Sequence, residues 1–146
     1  MNLFGILDVS GSALNAERQR AEIVTSNLAN AETTHTADGG PYKRQMVVFE
    51  TKTPSASSFG KTFNGIRKEY AQGVTVQNIV ADSSPPTQRY EPSHPDADKQ
   101  GYVSYPSINP VEEMAELMEA ARAYQMNVAA VQATKGMITA SLDILR

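Results

Sequence analysis

The sequence predicts a mainly α protein with a small β-rich insert, whose long N- and C-terminal helices pair as a coiled-coil-like bundle in an assembled state. Three observations predict this. All eight prolines lie between Pro41 and Pro110, so both ends of the chain are free of the residue that breaks helices. Eight of the ten aromatics fall in the same middle, with Phe4 and Tyr124 outside it. Apolar residues recur at a spacing of seven through both prolineless ends. The chain of 146 residues therefore divides into an N-terminal helix (1–31), a middle β and loop segment (32–108) and a long C-terminal helix (109–146).

The first helix is expected from about Phe4 to Asn30. Leu7, Leu14, Ala21 and Leu28 recur at spacing seven, and Val24 and Ile23 thicken the seam late, while Ser10 and Glu17 thin it early. Gly5 and Gly11 lower its helicity, so alone in water it is marginal.

In the middle, YKRQMVVFE (Tyr42–Glu50) and GVTVQNIVAD (Gly73–Asp82) are rich in β-branched or aromatic residues and read as strands. Ser84–Val103 holds four prolines and a glycine and reads as an extended loop with room for a short strand at Thr87–Tyr90. Thr53–Gly65 reads as flexible.

The C-terminal helix starts at SINPVEEM. Asn109 can cap, Pro110 fits the first helical position, and Glu112 stands where a capping box places its acid. Glu112, Glu113 and Glu116 lie near the positive end of the helix dipole. One heptad row reads Met114, Ala121, Val128, Lys135, Leu142, and another reads Leu117, Tyr124, Val131, Ile138, Leu145. Nine of these ten are apolar. Ala123, Ala130, Met137 and Ile144 form a further apolar row, and between Ala123 and Leu142 the only charge is Lys135. A surface helix needs one stripe, so this one expects neighbours on more than one side. Lys135 reads as a register residue or one reaching a carboxylate on a neighbouring helix. A straight helix over this span is about 54 Å long, more than the chain can cover. The termini are thus expected to pair with each other and with other copies, and both are expected to stay unfolded until they dock.

Composition excludes several functions. The net charge is −3 and no basic run exceeds two residues, so nucleic acid is not an expected partner. No cysteine is present, which rules out disulfides and thiol chemistry. The start lacks the pattern of a cleaved secretory signal, and no apolar run is long enough to span a bilayer, so direct membrane insertion is not expected. His94, Asp96 and Asp98 form HPDAD, which could place three polar groups on one face of a strand and serve a small metal-binding or enzymatic module. A lone histidine favours the plainer reading, a polar turn held by Pro95. His35 lies in a threonine-rich loop. No catalytic, cofactor or metal residue is assigned.

The segments SGSALNAERQRAEIVTSNLANAETT and HPDADKQGYVSYPSINPVEEMAELMEAARAYQMNVAAVQATKGMITASL resemble bacterial flagellar rod and hook proteins. The second resembles, more narrowly, the proximal rod proteins of the flagellar basal body. Together they cover both ends of the chain and reach back to about Tyr90. The resemblance implies a non-enzymatic structural subunit of the rod that transmits torque across the periplasm through its terminal helices. It implies export through the flagellar type III apparatus without a cleaved signal, with information in the N-terminal segment. The partners it implies are other copies, other rod proteins, the export apparatus and the surrounding basal-body rings; another axial protein of the flagellum is the near alternative. It marks NLANAETT as the point where the inner helix leaves the packed layer. There Asn27 and Asn30 would satisfy backbone groups at a tight exit, and Asn tolerates the left-handed conformation that ends helices.

Overall fold

A computed structural model describes residues 3–37, 39–52 and 73–144. The expected loop at Thr53–Gly65 and the seam position Leu145 lie outside the described residues. Helix α1 runs Leu3–Ala29 and helix α2 runs Pro110–Ile144. Between them come strands β1 (Gln45–Lys52), β2 (Gly73–Ala81), β3 (Thr87–Tyr90) and β4 (Tyr102–Tyr105). At 1.5 Å per residue the helices are about 40 and 52 Å long.

The two helices form an antiparallel hairpin. Asn27 meets Glu113, and one step of the hairpin further on Arg20 meets Glu119. In that register Leu3 lies level with about Met137, so the last turns of α2 project beyond the start of α1. The expectation that both ends stay unfolded until docking is corrected here, because the chain itself supplies each helix with a partner.

β1 and β2 pair antiparallel from Gln45 opposite Ala81 to Lys52 opposite Gly73, with a bulge where Val48 and Phe49 pair with Asn78 and Val76, leaving Gln77 extra. This ribbon lies along α1, on which both of its strands pack; neither strand packs against α2. Helix α1 is thus the middle layer. β1 begins three residues later than expected, because Tyr42 and Arg44 turn the chain in from the helix exit: the Tyr42 N–H donates to the Thr33 carbonyl at 3.1 Å.

β3 and β4 form a second antiparallel pair, with Thr87 opposite Tyr105 and Tyr90 opposite Tyr102. The strand at Thr87–Tyr90 is present; β4 was not expected, being four residues long and paired only through the turn before it. That turn requires glycine. Gly101 has φ +85°, and a Cβ there would lie 2.9 Å from Tyr90 Cε2 and 3.2 Å from Pro92 Cβ. We refer to β3, β4 and their turn as the clasp. Val103 is its buried centre. The Tyr105 hydroxyl donates to Glu91 at 2.9 Å, and Arg89 stacks over the Tyr105 ring at 4.6 Å.

The row of α2 that meets α1 is not the expected one. Glu113, Ala120 and Thr134 are buried and Asn127 is half-buried, one residue before the Met114 row. Met114, Ala121, Lys135 and Leu142 are exposed, and only Val128 of that row is half-buried. Of the second row, Leu117, Val131 and Ile138 are half-buried at the flank and Tyr124 is exposed. A polar row can face the partner helix because its polar groups are already satisfied. The Thr134 hydroxyl donates to the Ala130 carbonyl at 2.8 Å, and the Asn127 amide to the Ala123 carbonyl at 2.9 Å. Glu113 is held by the site described next, which fixes the rotation of α2 about its axis; one residue of offset is about 100°. Lys135, read as a register residue or one reaching a carboxylate on a neighbouring helix, stands exposed in the single chain.

The start of α2 is capped by Asn109, whose side-chain oxygen accepts from the Val111 N–H at 3.1 Å. The other half of the expected capping box is absent among the described residues. Glu112 is exposed, and no bond joins it to the Asn109 amide.

Candidate functional site

Where α1 ends and α2 begins, four side chains from three parts of the chain make a buried polar hub. Asn27 is 1% exposed and uses all four of its amide positions. Its Nδ2 donates to the Gln45 carbonyl at 2.8 Å and to Glu113 Oε2 at 3.1 Å. Its Oδ1 accepts from the Gln45 N–H at 2.9 Å and from the Tyr42 hydroxyl at 3.1 Å. Glu113 is equally buried, and its other oxygen accepts from Arg44 Nε at 2.5 Å. Arg44 Nη2 continues to Glu116 Oε1 at 2.7 Å. A carboxylate taken out of water is costly unless paired and hydrogen-bonded, and Glu113 has both kinds of partner.

Burial by itself would lower the pKa of Arg44. The hydrogen bond and charge of Glu113, with Glu116 behind it, outweigh that and raise it. Arg44 therefore remains a cation bridging two carboxylates at the first turns of α2, where the helix dipole also favours negative charge. Asp82 follows the end of β2 beside this cation, and its N–H donates to the Arg44 carbonyl at 2.7 Å. Bonds from the Ser84 backbone and hydroxyl lower the pKa of Asp82, and the charge of Arg44 adds to that.

Of the expected exit pair, Asn27 carries the hub and Asn30 works locally. Asn30 Nδ2 returns to the Ser26 carbonyl at 2.9 Å, and its Oδ1 accepts from the Thr33 hydroxyl at 3.2 Å. Neither takes the left-handed conformation expected of them: among the described residues only glycines have positive φ. The side-chain bonds close the helix end, so the backbone has no need to turn left. Arg44, Tyr42 and Glu113 were not singled out as one site from the sequence. Their signals were a carboxylate in a helix's first turn and a basic pair, Lys43 and Arg44, before a strand, and both have commoner explanations.

His94, Asp96 and Asp98 are each engaged in bonds of the turn and its neighbours. Asp96 accepts from the Thr34 hydroxyl at 2.7 Å, tying the clasp to the loop that leaves α1. Asp98 accepts from the Gln100 and Tyr102 N–H groups at 2.8 and 2.9 Å, shaping the turn. The Asp96 N–H donates to His94 Nδ1 at 3.1 Å. Among the described residues no three histidine or carboxylate groups converge on a point where a metal could sit.

The remaining feature is apolar surface. Along α2 Met114, Met118, Leu142 and Ile144 are between 54% and 86% exposed. The outward face of the ribbon adds Met46, Val48 and Val80. Most of the seam residues assigned on α1, Leu7, Leu14, Ala21 and Leu28, are half-buried between the two layers, and Val24 is buried. Among the described residues no helix is long and apolar enough to cross a membrane.

Residues 7–34 match a family described as "Flagella basal body rod protein", and residues 99–144 match one described as "Flagellar basal body rod FlgEFG protein C-terminal". Asn27 falls in the first match, Glu113 and Glu116 in the second, and Tyr42 and Arg44 in neither. Over its whole length the chain is 38% identical to the flagellar basal-body rod protein FlgC of Borreliella burgdorferi, covering 99% of that protein. It is 40% identical to FlgC of Bacillus subtilis and 35% identical to FlgC of Salmonella typhimurium, with 99% of this chain aligned in each case and 99% and 98% of the relatives.

Proposed function

The chain belongs to the FlgC family of flagellar basal-body rod proteins and is a structural subunit of the rod in the bacterial flagellar basal body; from that premise we propose that it joins the proximal rod through its terminal helices, chiefly the outward face of α2. The observation that carries the reading is the surface of α2. Its Met114 row, apolar but for Lys135, is exposed or half-exposed and turned away from α1, and its Leu117 row flanks the α1 contact. Burying one leucine or isoleucine side chain stabilises by about 1.5–3 kcal/mol, so several such positions per neighbour suffice to hold a subunit.

The occupants of this face are other copies of the chain and other rod proteins, packed in coiled-coil-like fashion, with the middle segment between neighbours or facing the surrounding rings. The seam comprises Leu7, Leu14, Ala21, Val24 and Leu28 on the first helix. On the second it comprises Met114, Leu117, Ala121, Tyr124, Val128, Val131, Ile138, Leu142 and Leu145, with Lys135 as its one charge. Residues 1–31 and 109–146 are the assembly segments, and residues 32–108 are the insert between them. The hub of Asn27, Arg44 and Glu113 gives torque a rigid path from the helices to the insert. The chain leaves the cell through the flagellar type III apparatus, directed by its N-terminal segment, and needs no cofactor.

The test is complementation of a strain lacking its own copy. Ile138→Asp and Leu28→Asp should each abolish swimming and rod completion while the purified chains stay soluble; Ser57→Asp should be tolerated. A swimming strain carrying Ile138→Asp would refute the seam. Deleting the first half of the N-terminal segment should block secretion while leaving expression intact, and normal secretion would refute its role in export.

A further inference from the structure

The half of the helical hairpin remote from the hub carries two charged side chains, one on each helix and of opposite sign. Asp8 is the only charged residue from Leu3 to Ala16, and Lys135 the only one from Ala123 to Leu142. The register set by Asn27 against Glu113 and Arg20 against Glu119 lays these two stretches side by side. In it Asp8 lies about 29 Å and Lys135 about 33 Å from the hub, a difference of about one helical turn. Within the chain the two do not meet. Both are exposed, and neither side chain has an ionic partner among the described residues. Asp8 stands in the exposed row Phe4, Asp8, Gly11, Asn15, about 100–120° round α1 from Arg20 and Asn27, the residues that reach α2. Lys135 stands about 100° round α2 from Thr134, which is buried against α1. Each helix therefore turns its lone charge outward.

We propose that in the rod Lys135 of one copy pairs with Asp8 of the next, so that α2 of each subunit packs on the outward row of its neighbour's α1. The inference rests on the reading of the chain as a rod subunit, and it names the partner of the α2 face. A lysine in an apolar seam loses its water on assembly and is costly there unless it meets a carboxylate. Asp8 is the carboxylate that side-by-side copies bring to it. Among the described residues of the two helices, the next nearest in level are Asp143 and Glu17, about 12 and 18 Å away along the axis. Glu17 is already turned to Arg20, at 3.9 Å. Because Lys135 and Asp8 lie on different faces, the contact is head-to-tail and repeats from copy to copy instead of closing on a pair. Farther from the hub in the same two rows, Phe4 and Leu142 are 75% and 61% exposed, apolar surface that the contact covers. The pair also fixes register. Heptad rows look alike after a slip of seven residues, about 10 Å, and a single pair of opposite charges distinguishes the right setting from the slipped one.

The two charges can be exchanged, which gives the test. In a strain lacking its own copy, Asp8→Lys and Lys135→Asp should each cut the fraction of swimming cells at least tenfold, because each sets like charges against one another in the contact. The purified chains should melt with the parent, since both positions are exposed. Producing the two altered chains together should restore at least half of the swimming cells. Lys135 of the first then meets Asp8 of the second, and the exchanged groups are complementary as well. A pair inside one chain cannot be restored in that way. Carbodiimide treatment of basal bodies from the unaltered strain should join Lys135 Nζ to the Asp8 carboxylate as an amide between two copies, the water lost being taken up by the reagent as its urea. Peptide mass spectrometry identifies the link. Lys135→Arg should keep swimming and lose the link. Normal swimming of either charge-reversed variant, no rescue by a mixture in which both chains are secreted, or a Lys135 link to a carboxylate of a different protein would overturn the proposal. Should Asp8→Lys fail to be secreted, the presence or absence of the carbodiimide link in the unaltered strain decides. Failure of the unaltered chain to complement the strain would instead sink the rod-subunit reading, which keeps the two failures apart.

Discussion

Replacing Asn27 by aspartate changes one nitrogen to oxygen and almost nothing in shape, yet the hub predicts a large effect. The amide nitrogen lies 3.1 Å from Glu113 Oε2 and 2.8 Å from the Gln45 carbonyl, so both bonds become contacts between acceptors. Two unit charges at that separation repel by about 5 kcal/mol at an effective dielectric of 20. The introduced carboxyl can escape by keeping its proton. From an ordinary value near 3.9 that costs about 4 kcal/mol at pH 7, which caps the loss. Its protonated form can donate to Glu113 and restores one bond. For a chain of this size such a loss lowers the melting temperature by on the order of 10–15 °C. In the folded state the new carboxyl is held above its unfolded value. The penalty is therefore full above the folded value, shrinks as pH falls through it toward the unfolded value and is gone below about 3.9. Thermal melts of the full chain followed by circular dichroism should show a wide gap between Asn27→Asp and the parent at pH 7, largely closed at pH 4.5. A gap below about 1 kcal/mol at pH 7, or one unchanged between the two pH values, would refute the account of the hub.

Three further predictions follow from the same physics. Arg44→Met should destabilise by about 3–5 kcal/mol in denaturant titration by leaving Glu113 buried and unpaired, and adding Glu113→Leu should recover at least half of it. Gly101→Ala should cost about 1–3 kcal/mol, because φ +85° is strained for alanine and its Cβ meets Tyr90 and Pro92; faster amide exchange confined to the clasp would identify the cause. The hydrogen bond to Glu91, with desolvation behind it, raises the pKa of Tyr105. Its stabilising bond is thus present below the ordinary tyrosine value and lost as pH rises through the higher folded one. In an absorbance titration at 295 nm, Tyr105→Phe should remove a phenol that ionises above the ordinary tyrosine value.

The sequence by itself determined the elements whose cause is local. Proline placement, the Asn109–Pro110 start and uninterrupted periodicity set α2 to within a residue, and β-branched runs beside turn residues set β1 and β2 to within three. The polar character of HPDAD was legible too, because such turns satisfy their own backbone. Tertiary structure decided everything that depended on which groups meet. Heptad spacing shows that α2 has apolar rows; it does not say which row faces the nearest helix. That was settled by Glu113, whose burial against Asn27 and Arg44 turns the helix so that Ala120, Asn127 and Thr134 face α1 and the apolar rows face outward or flank the contact. Asn27 reads as a helix terminator in sequence and becomes the centre of the hub only because Gln45 and Glu113 arrive from 18 and 86 residues away. Ser12 gives no sequence signal, since a serine within a helix accepts a strand N–H only when a strand is laid beside it. Periodicity and capping act within one or two helical turns and are written in neighbouring residues. Rotation, register and polar pairing depend on residues far apart in the chain, and only folding brings those together.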